Sequence, residues 1–271
     1  MSFRYALGLE YDGAAYNGWQ RQKSPELPTV QASLERALGF VAKGRGAPAI
    51  AVQCAGRTDA RVHASHQVVH FESPIERPEK AWVLGSNANM EKDISVKWAK
   101  PIGADFHARF SATARRYRYV ICNREIRPAH LRNNVTWVRK PLDEALMQSE
   151  AHCLIGEQDF SAFRGAGCQS NTPMRNVHFV NVTRSGDYVV VDIQANAFLL
   201  HMVRNIVGVL IEVGSGESPS GRTAQVLAGR NRSEGGVTGK PYGLYLIDVL
   251  YPDEFNIPKS ELGPFFLGDA F

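Results

Sequence analysis

The sequence contains few cysteines, and their spacing disfavours several classes of protein. The 271 residues include four cysteines, at positions 54, 122, 153 and 168, and no two of them form a Cys-x-x-Cys pair. Such scattered cysteines are typical of reduced thiols rather than of a disulfide framework or a zinc knuckle. The N-terminal residues also lack a positive charge followed by an apolar core, so no secretory signal is predicted. We therefore expect a cytoplasmic protein.

Long hydrophobic runs and a strong net charge are absent as well. The longest apolar run, 203–213, is interrupted by Arg204 and Asn205, and it is too short and too polar to span a bilayer. Lysine and arginine number 31 against 27 aspartates and glutamates, a formal net charge of +4. This sum is weak support for a nucleic-acid partner, so the placement of the cations matters more. No glycine-rich nucleotide-binding turn follows a predicted strand, which disfavours a Rossmann fold.

Hydrophobic periodicity predicts single helices between strands together with frequent hairpins, which favours an α+β fold with a mainly antiparallel sheet. The second half looks like a loose echo of the first. We predict two half-domains, 1–105 and 106–271, with a site in the cleft between them. The predicted strands cover 3–13, 50–54, 66–72, 94–101, 111–123, 134–140, 178–195 (a hairpin) and 243–252. The predicted helices cover 29–44 and 196–214, capped by Thr29 and Asn196, and 78–90 and 141–156, each starting at a proline.

A lone acid lies inside a basic loop at AGRTDARVHASHQ, residues 55–67, where Asp59 stands between Arg57 and Arg61. An aspartate in such a turn is most often an Asx or capping residue. A metal site would combine Asp59 with His63, His66 and His70, but a second carboxylate is missing and the spacing does not match zinc motifs. With His63 expected in the loop, we predict no metal.

The helix predicted over 196–214 gives Asp59 a third interpretation. Its residues are apolar or small almost all round, which is typical of a buried helix. A buried Arg204 needs an anion, because an unpaired cation there would cost several kcal/mol. Either the arginine stem carries the charge to solvent, or Arg204 pairs with a carboxylate of the other half, for which Asp59 is the candidate. Such a pair would fix the rotamer of a nucleophile.

Aromatic and cationic residues alternate in several segments, among them ARRYRYVIC, 114–122, and FHARF, 106–110. Half-buried tyrosines beside solvated arginines are ordinary strand chemistry. The alternative is an aromatic face on which a base stacks, with cations that meet phosphates. Arg164 also leads into a glycine-rich polar loop, 165–173. Together these segments favour a structured RNA over a small acidic metabolite.

The chain resembles the bacterial tRNA pseudouridine synthase A family over nearly its whole length. Five motifs carry the resemblance, in order: EYDGAAYNGWQRQ, CAGRTDARVHA, FHARFSATARRYRY, FLLHMVRNIVG and PYGLYLIDVLYPD. The resemblance implies two pseudo-symmetric α+β half-domains around a central basic cleft, in a homodimer that uses no cofactor and no metal. It also implies isomerisation of uridine to pseudouridine at positions 38, 39 and 40 of the tRNA anticodon stem-loop, with base flipping.

The resemblance also assigns roles to individual residues. Asp59 of GRTD matches the catalytic nucleophile, and Arg204 of HMVRN matches the arginine that pairs with it. Tyr117 of ARRY would pack on the uracil and is a candidate for moving its C5 proton, and Leu244 would bind the substrate beside it. The residues expected to contact RNA are Arg57, which would help to flip the base, Arg77, Phe106, His107, Ala108, Arg109, Phe110, Gly167, Cys168, Gln169, Ser170 and Asn171.

The sequence departs from the family at Arg61, where the family usually has glycine. Glycine at this place suggests a turn with positive φ. Arg61 either adopts that conformation at a cost of about 1 kcal/mol or more, or keeps an ordinary backbone and points toward RNA. Two rival functions also remain at this stage. One is an RNA-binding module without catalysis, and the other is a metal-dependent phosphodiesterase that uses Asp59 and the histidines.

Overall fold

The computed structural model describes residues 2–22 and 26–271. These residues form two compact units. Unit 1 comprises Met1–Thr113 and Leu246–Pro264, and unit 2 comprises Ala114–Tyr245 and Phe265–Phe271. Unit 1 therefore extends past residue 105 and includes a segment from near the C-terminus, so its bounds differ from those of the predicted half-domains. The division into two related half-domains stays a prediction.

Strands and single helices alternate along the described ranges. The strands are β1 (Phe3–Tyr11), β2 (Val52–Cys54), β3 (His63–Ser73), β4 (Ile94–Pro101), β5 (Ala114–Asn123), β6 (Thr136–Val138), β7 (Gly156–Asp159), β8 (Met174–Ser185), β9 (Tyr188–Ala195) and β10 (Leu244–Leu250). The helices are α1 (Val30–Lys43), α2 (Glu79–Ala88), α3 (Glu144–Ala151), α4 (Met202–Gly214) and α5 (Arg222–Gly229). In the described ranges, no helix has both the length and the apolar character needed to cross a membrane.

Unit 1 is built on an antiparallel sheet. Strand β1 pairs antiparallel with β3 on one side and with β4 on the other, β2 pairs antiparallel with β3, and β10 lies next to β3. Helix α1 packs its apolar face, with Leu34 and Leu38 fully buried, into the core of this unit. Thr29 caps the helix by accepting a hydrogen bond from the Ala32 N–H, and Gly44 ends it with a φ of 87°. Both ends of α1 are confirmed as predicted.

Unit 2 contains strands β5, β9, β8 and β7, which lie side by side in that order with each pair antiparallel, and β6, which is parallel to β5. The predicted hairpin is confirmed, because β8 and β9 pair from Ser185 and Tyr188 onward around a turn at Gly186. The α+β class with a mainly antiparallel sheet is therefore confirmed. Strand β7 and helix α5 were not predicted, since both are too short for hydrophobic periodicity to define them.

Three predicted helix starts are wrong. Helix α4 begins at Met202 rather than after Asn196, whose side-chain oxygen accepts the N–H groups of Asn176 and Ala197 instead. Helix α3 begins after Asp143, which accepts a hydrogen bond from the Leu146 N–H, so the cap lies two residues beyond the proline. Pro78 precedes α2 as its N-cap and is not its first helical residue. In α3, the first helical residue is therefore set by the side-chain acceptor of Asp143 rather than by the proline.

Buried Glu150 joins the end of α3 to the start of α5. Its carboxylate accepts hydrogen bonds from the Ser220 hydroxyl at 3.0 Å, the Gly221 N–H at 2.5 Å and the Thr223 N–H at 3.0 Å. Burial opposes the charge of Glu150, but these donors outweigh it and hold the pKa below its ordinary value of 4.5.

The Glu150→Gln variant is expected to lower the free energy of unfolding by about 2 kcal/mol at neutral pH, because the uncharged amide binds the same donors less well. The pKa of Glu150 is depressed in the folded state, so its stabilisation is complete above 4.5 and is lost as the pH falls through the folded value. Denaturant titrations at neutral and acidic pH check this. Glu157→Gln, on an exposed residue, is the control. If the difference in the free energy of unfolding between Glu150→Gln and the unchanged protein stayed constant down to low pH, the charge of Glu150 would not be its cause.

Candidate active site

Asp59 lies in the loop that joins β2 to β3, and its side chain is half-buried. The loop turns tightly at this residue, since the Val62 N–H donates to the Asp59 carbonyl oxygen at 3.1 Å. Strand β3 begins at His63, so the prediction that His63 lies in the loop is wrong. Asp59 is therefore displayed on a short turn only a few residues from a buried strand.

The Asp59 loop is held by the segment that follows β1. The Trp19 N–H donates to the Thr58 carbonyl oxygen at 3.0 Å, and the Arg61 N–H donates to the Tyr16 carbonyl oxygen at 3.1 Å. These two bonds bracket Asp59 on both sides. The hydroxyl groups of Tyr11 and Thr58 also form a buried hydrogen bond at 2.8 Å. These hydrogen bonds restrict the backbone on both sides of the Asp59 carboxylate.

Buried Gln67 of β3 adds an anchor that the sequence did not reveal. Its side-chain nitrogen donates to the Gly56 carbonyl oxygen at 2.6 Å, and its side-chain oxygen accepts the Gly56 N–H at 3.4 Å. The Ala55 N–H donates to the Val68 carbonyl oxygen at 2.8 Å. The start of the loop is thus fixed by β3 itself, and only the tertiary structure identifies Gln67 as part of it.

The two arginines that flank Asp59, Arg57 and Arg61, are exposed. Arg61 has a φ of 66°, in the left-handed region that disfavours residues with a Cβ atom. Of the two conformations that the sequence left open, the strained one is present. The backbone of the loop thus has the turn that glycine would adopt without strain.

The Arg61→Gly variant is expected to raise the free energy of unfolding by up to about 1.5 kcal/mol. Glycine removes a strain of about 1–2 kcal/mol from the folded state. Its greater conformational freedom in the unfolded chain lowers the free energy of unfolding by about 0.5–1 kcal/mol. Arg57→Gly is the matched control, since Arg57 is exposed in the same loop and lies outside the left-handed region. The Arg57→Gly protein should be less stable than the unchanged protein. Chemical denaturation of both variants checks the prediction, and a loss of stability at both positions would contradict it.

Tyr117 and Leu244, the expected binding residues for the base, lie in unit 2. Tyr117 is on β5 with 8% of its surface exposed, and its ring meets that of Phe198 edge to face at 5.0 Å between centroids. Phe198 was not among the predicted residues. Leu244 is the buried first residue of β10. Both residues have little access to water.

Arg204 lies in the first turn of α4 and is half-buried, although the helix around it is almost entirely buried as predicted. Its Nε donates to the Gly239 carbonyl oxygen at 2.9 Å. The residue before the helix, His201, has a φ of 60°, so α4 starts abruptly there. Arg204 is therefore directed by a partner within its own unit.

Two arginines of β5 do not have the solvated character expected of them. Arg116 donates to Asp192 of β9 through Nε and Nη2, both at 2.7 Å, and Arg118 donates to the same carboxylate at 2.9 Å. Arg118 is only 4% exposed. The strand pairing sets this cluster, because Arg118 lies opposite Asp192 in the register. Both cations therefore share one carboxylate within unit 2, and neither is a lone surface charge.

The segment 106–110 of unit 1 divides into buried and exposed residues. Phe106 and Ala108 are fully buried, and the Phe106 ring packs on Tyr251 at 5.1 Å. The His107 ring lies 4.4 Å from the Phe110 ring between centroids, at a tilt of 33°, and Phe110 is 75% exposed. The Arg109 guanidinium lies over the Phe110 ring at 5.6 Å. The buried pair anchors the segment, and the exposed residues form the part that a ligand could reach.

The predicted RNA-contacting loop 167–171 is held from beneath by Arg164. Its Nη2 donates to the carbonyl oxygens of Cys168 at 2.8 Å and Ser170 at 2.7 Å. Gly167, Gln169 and Asn171 are exposed. Burial opposes ionisation of the Cys168 thiol, but backbone N–H groups and Arg164 together lower its pKa below the usual value. The loop is a fixed polar surface.

Arg77 and the histidines complete the predicted set. Arg77 is exposed, and its backbone exchanges hydrogen bonds with the Tyr5 hydroxyl at 3.0 and 3.1 Å. Burial lowers the pKa of His66 and of His70 to about 4 each. The Nδ1 of His66 lies 2.7 Å from the Ser260 hydroxyl, and that of His70 accepts the Ala108 N–H. Among the side chains that the structure describes, no three acids, histidines or cysteines form a group that could hold a metal ion.

A sequence model of the family described as tRNA pseudouridine synthase matches residues 9–111 and 151–252, and the chain belongs to this family. The first segment contains Asp59, and the second contains Arg204 and Leu244. Tyr117 lies outside both.

Curated relatives called tRNA pseudouridine synthase A are similar over nearly the full length. The protein from Shewanella amazonensis is 57% identical over 266 residues, which cover 98% of this chain and 100% of the relative. Those from Pseudomonas aeruginosa and Coxiella burnetii are 55% and 54% identical over 264 residues, 97% of this chain and 91% and 99% of the relatives. The family expected from the motifs is confirmed.

Proposed function

We propose that the protein isomerises uridine to pseudouridine in tRNA, at positions 38, 39 and 40 of the anticodon stem-loop, with Asp59 as the nucleophile. Membership of an isomerase family and relatives above 50% identity support the reaction and the tRNA substrate. The observation that carries the assignment of Asp59 is its loop. A half-buried acid sits between two exposed arginines on a turn anchored at Thr58 and Arg61.

The reaction needs a nucleophile, a shielded pocket and a proton acceptor, but no redox partner. Asp59 would attack either C6 of the uracil or C1′ of the ribose, and the C–N glycosidic bond then breaks. The detached base turns, a bond forms between C5 and C1′, the C5 proton leaves, N1 takes up a proton in its place and the aspartate is released. The product is an isomer of the substrate, so atoms and electrons balance without a cofactor.

The buried aromatic and apolar residues of unit 2 suit the walls of such a pocket. Tyr117, supported by Phe198, and Leu244 would pack against the free uracil and keep it from water. Tyr117 is also the candidate acceptor of the C5 proton. The pairing of Arg204 with Asp59 remains a prediction from the sequence, in which the guanidinium stabilises the charge of the nucleophile.

Recognition of tRNA would rest on the exposed parts of the predicted segments. Arg57, Arg77 and Arg109 offer cations to phosphates, and Phe110 offers a ring face to a base. Flipping the uridine costs a few kcal/mol, which phosphate contacts would offset. Phe106 and Ala108 are buried and act only by holding this surface. The resemblance further suggests a homodimer, and a tRNA substrate suggests a cytoplasmic location.

Tritium release tests the proposal directly. The protein is incubated with tRNA that carries tritium at uracil C5, in buffer with excess chelator and no added cofactor. Release of tritium that maps to positions 38 to 40 is the expected result, because isomerisation replaces the C5 proton. A protein that binds this tRNA without release would be the RNA-binding module. Strand cleavage that depends on a divalent metal would favour the phosphodiesterase.

A further inference from the structure

Arg204 and Gly239 are joined twice. The Arg204 Nε donates to the Gly239 carbonyl oxygen at 2.9 Å, and the Gly239 N–H donates to the Arg204 carbonyl oxygen at 2.9 Å. The guanidinium is planar, so a bond at Nε fixes the plane in which its outer nitrogens lie. The direction of the Arg204 side chain therefore depends on where Gly239 is held.

A closed triangle of hydrogen bonds holds the chain just before Gly239. The Arg232 Nη2 donates to the side-chain oxygen of Asn205 at 3.0 Å and to the Thr238 hydroxyl oxygen at 2.7 Å. The Thr238 hydroxyl in turn donates to the same Asn205 oxygen at 2.7 Å. Asn205 is fully buried, and its nitrogen donates to the Phe163 carbonyl oxygen at 2.8 Å. A buried network in which each donor and acceptor is satisfied favours a single geometry.

The segment 232–239, here called the strap, lies directly on α4. A Cβ atom at Gly208 would come within 1.9 Å of the Val237 carbonyl oxygen, so only glycine permits this approach. One turn further along the helix, the Glu212 carboxylate accepts the Val237 N–H at 3.1 Å. Arg204, Gly208 and Glu212 are spaced by four residues and share one face of the helix. The strap thus follows that face as far as Arg204.

The chain is fixed again just beyond the strap. The Tyr119 hydroxyl donates to the Lys240 carbonyl oxygen at 2.7 Å and lies 2.7 Å from the Thr136 hydroxyl. Gly239 is therefore held from both sides, by the triangle before it and by Tyr119 after it. The chain then enters β10 at Leu244.

We propose that the strap is a positioning device for Arg204, and that Asn205, Arg232 and Thr238 are positioning residues for the isomerisation. They act through the Gly239 carbonyl oxygen, which sets the guanidinium before substrate arrives. The inference rests on the proposed role of Arg204. If the strap loosens, Arg204 visits other rotamers and the rate of the chemical step falls, whereas tRNA affinity changes little.

Thr238→Val tests this, since it keeps the shape of the side chain and removes the hydroxyl that closes the triangle. The single-turnover rate at saturating tRNA should fall by about 10- to 100-fold, with a change in Kd of less than about threefold. Thr238→Ser, which restores the hydroxyl, should recover most of the rate. Arg232→Lys provides a second test and should also slow the reaction, because lysine lacks the planar fork. Thermal melts of each variant set an assay temperature at which all are folded.

Ser215→Ala is the matched control, because it removes a hydroxyl hydrogen bond from the same helix, to the Glu212 carbonyl oxygen, away from the triangle. Its rate should be unchanged. In an Arg204→Met background, Thr238→Val should cause no further loss. If Arg204→Met is slow but Thr238→Val is fully active, the strap does not position Arg204. The same follows if Thr238→Val lowers the rate equally in the unchanged protein and in the Arg204→Met protein. Either result overturns this inference and leaves the proposed role of Arg204 intact. A fully active Arg204→Met protein overturns both this inference and the proposed role of Arg204.

Discussion

Replacing Asp59 with asparagine is expected to abolish pseudouridine formation, with a loss of about 10⁴-fold or more in the single-turnover rate. Asparagine has nearly the same shape, and the hydrogen bond from the Val62 N–H goes to the backbone oxygen of residue 59, which the change leaves in place. The loop should therefore keep its structure. The change removes the negative charge of the side chain and with it the ability to attack carbon.

The same Asp59→Asn protein should bind tRNA as tightly as the unchanged protein, or more tightly. An acid that faces a polyanion opposes binding, so its neutralisation removes a repulsion. Rate and affinity therefore move in different directions, which separates a nucleophile from a residue that only binds. Filter binding and tritium release, measured on one preparation, give both quantities.

Asp253→Asn is a suitable control for the loss of one negative charge in unit 1, because Asp253 is exposed in a short 3₁₀ turn near the end of that unit. Its rate and affinity should be unchanged. Retained isomerisation in Asp59→Asn would refute the nucleophile assignment. Loss of both activity and binding would instead mean that residue 59 shapes the tRNA-binding surface.

The parts of the fold that the sequence predicts well are those set by local chemistry. The cap at Thr29 and the stop at Gly44 define α1 because both signals act within one helical turn. The predicted start of α4 is wrong because Asn196, a typical capping residue, accepts the N–H groups of Asn176 and Ala197 with its side-chain oxygen instead of capping the helix. That choice depends on the pairing of β8 with β9, which no short window of sequence contains.

The same distinction applies to the candidate site. Asp59, Arg204 and Tyr117 could be singled out because their motifs are contiguous in sequence. The side chains that hold them, such as Gln67 under the Asp59 loop and Thr238 beside α4, are joined to them by tertiary hydrogen bonds. An isolated glutamine or threonine has no sequence signal for such a role. The strain at Arg61 was foreseeable only because glycine was expected there.

Arg204→Met is expected to lower the single-turnover rate by about 10²- to 10³-fold, which is typical for the removal of one pre-organised donor that stabilises charge in a shielded site. Methionine keeps much of the apolar stem and deletes the guanidinium. The loss of the hydrogen bond to the Gly239 carbonyl oxygen should cost about 1–2 kcal/mol in the free energy of unfolding. The rate should therefore fall far more than stability does.

Two further variants separate charge from geometry at this position. Arg204→Lys keeps the charge without the planar fork, so its rate should lie between those of the unchanged protein and Arg204→Met. Arg139→Met, which removes an exposed arginine paired with exposed Glu125 at 3.3 Å, should leave both rate and stability nearly unchanged. If Arg204→Met turns over at the normal rate, the guanidinium does not assist the nucleophile. If it simply unfolds, Arg204 serves the packing of α4 and the strap rather than the reaction.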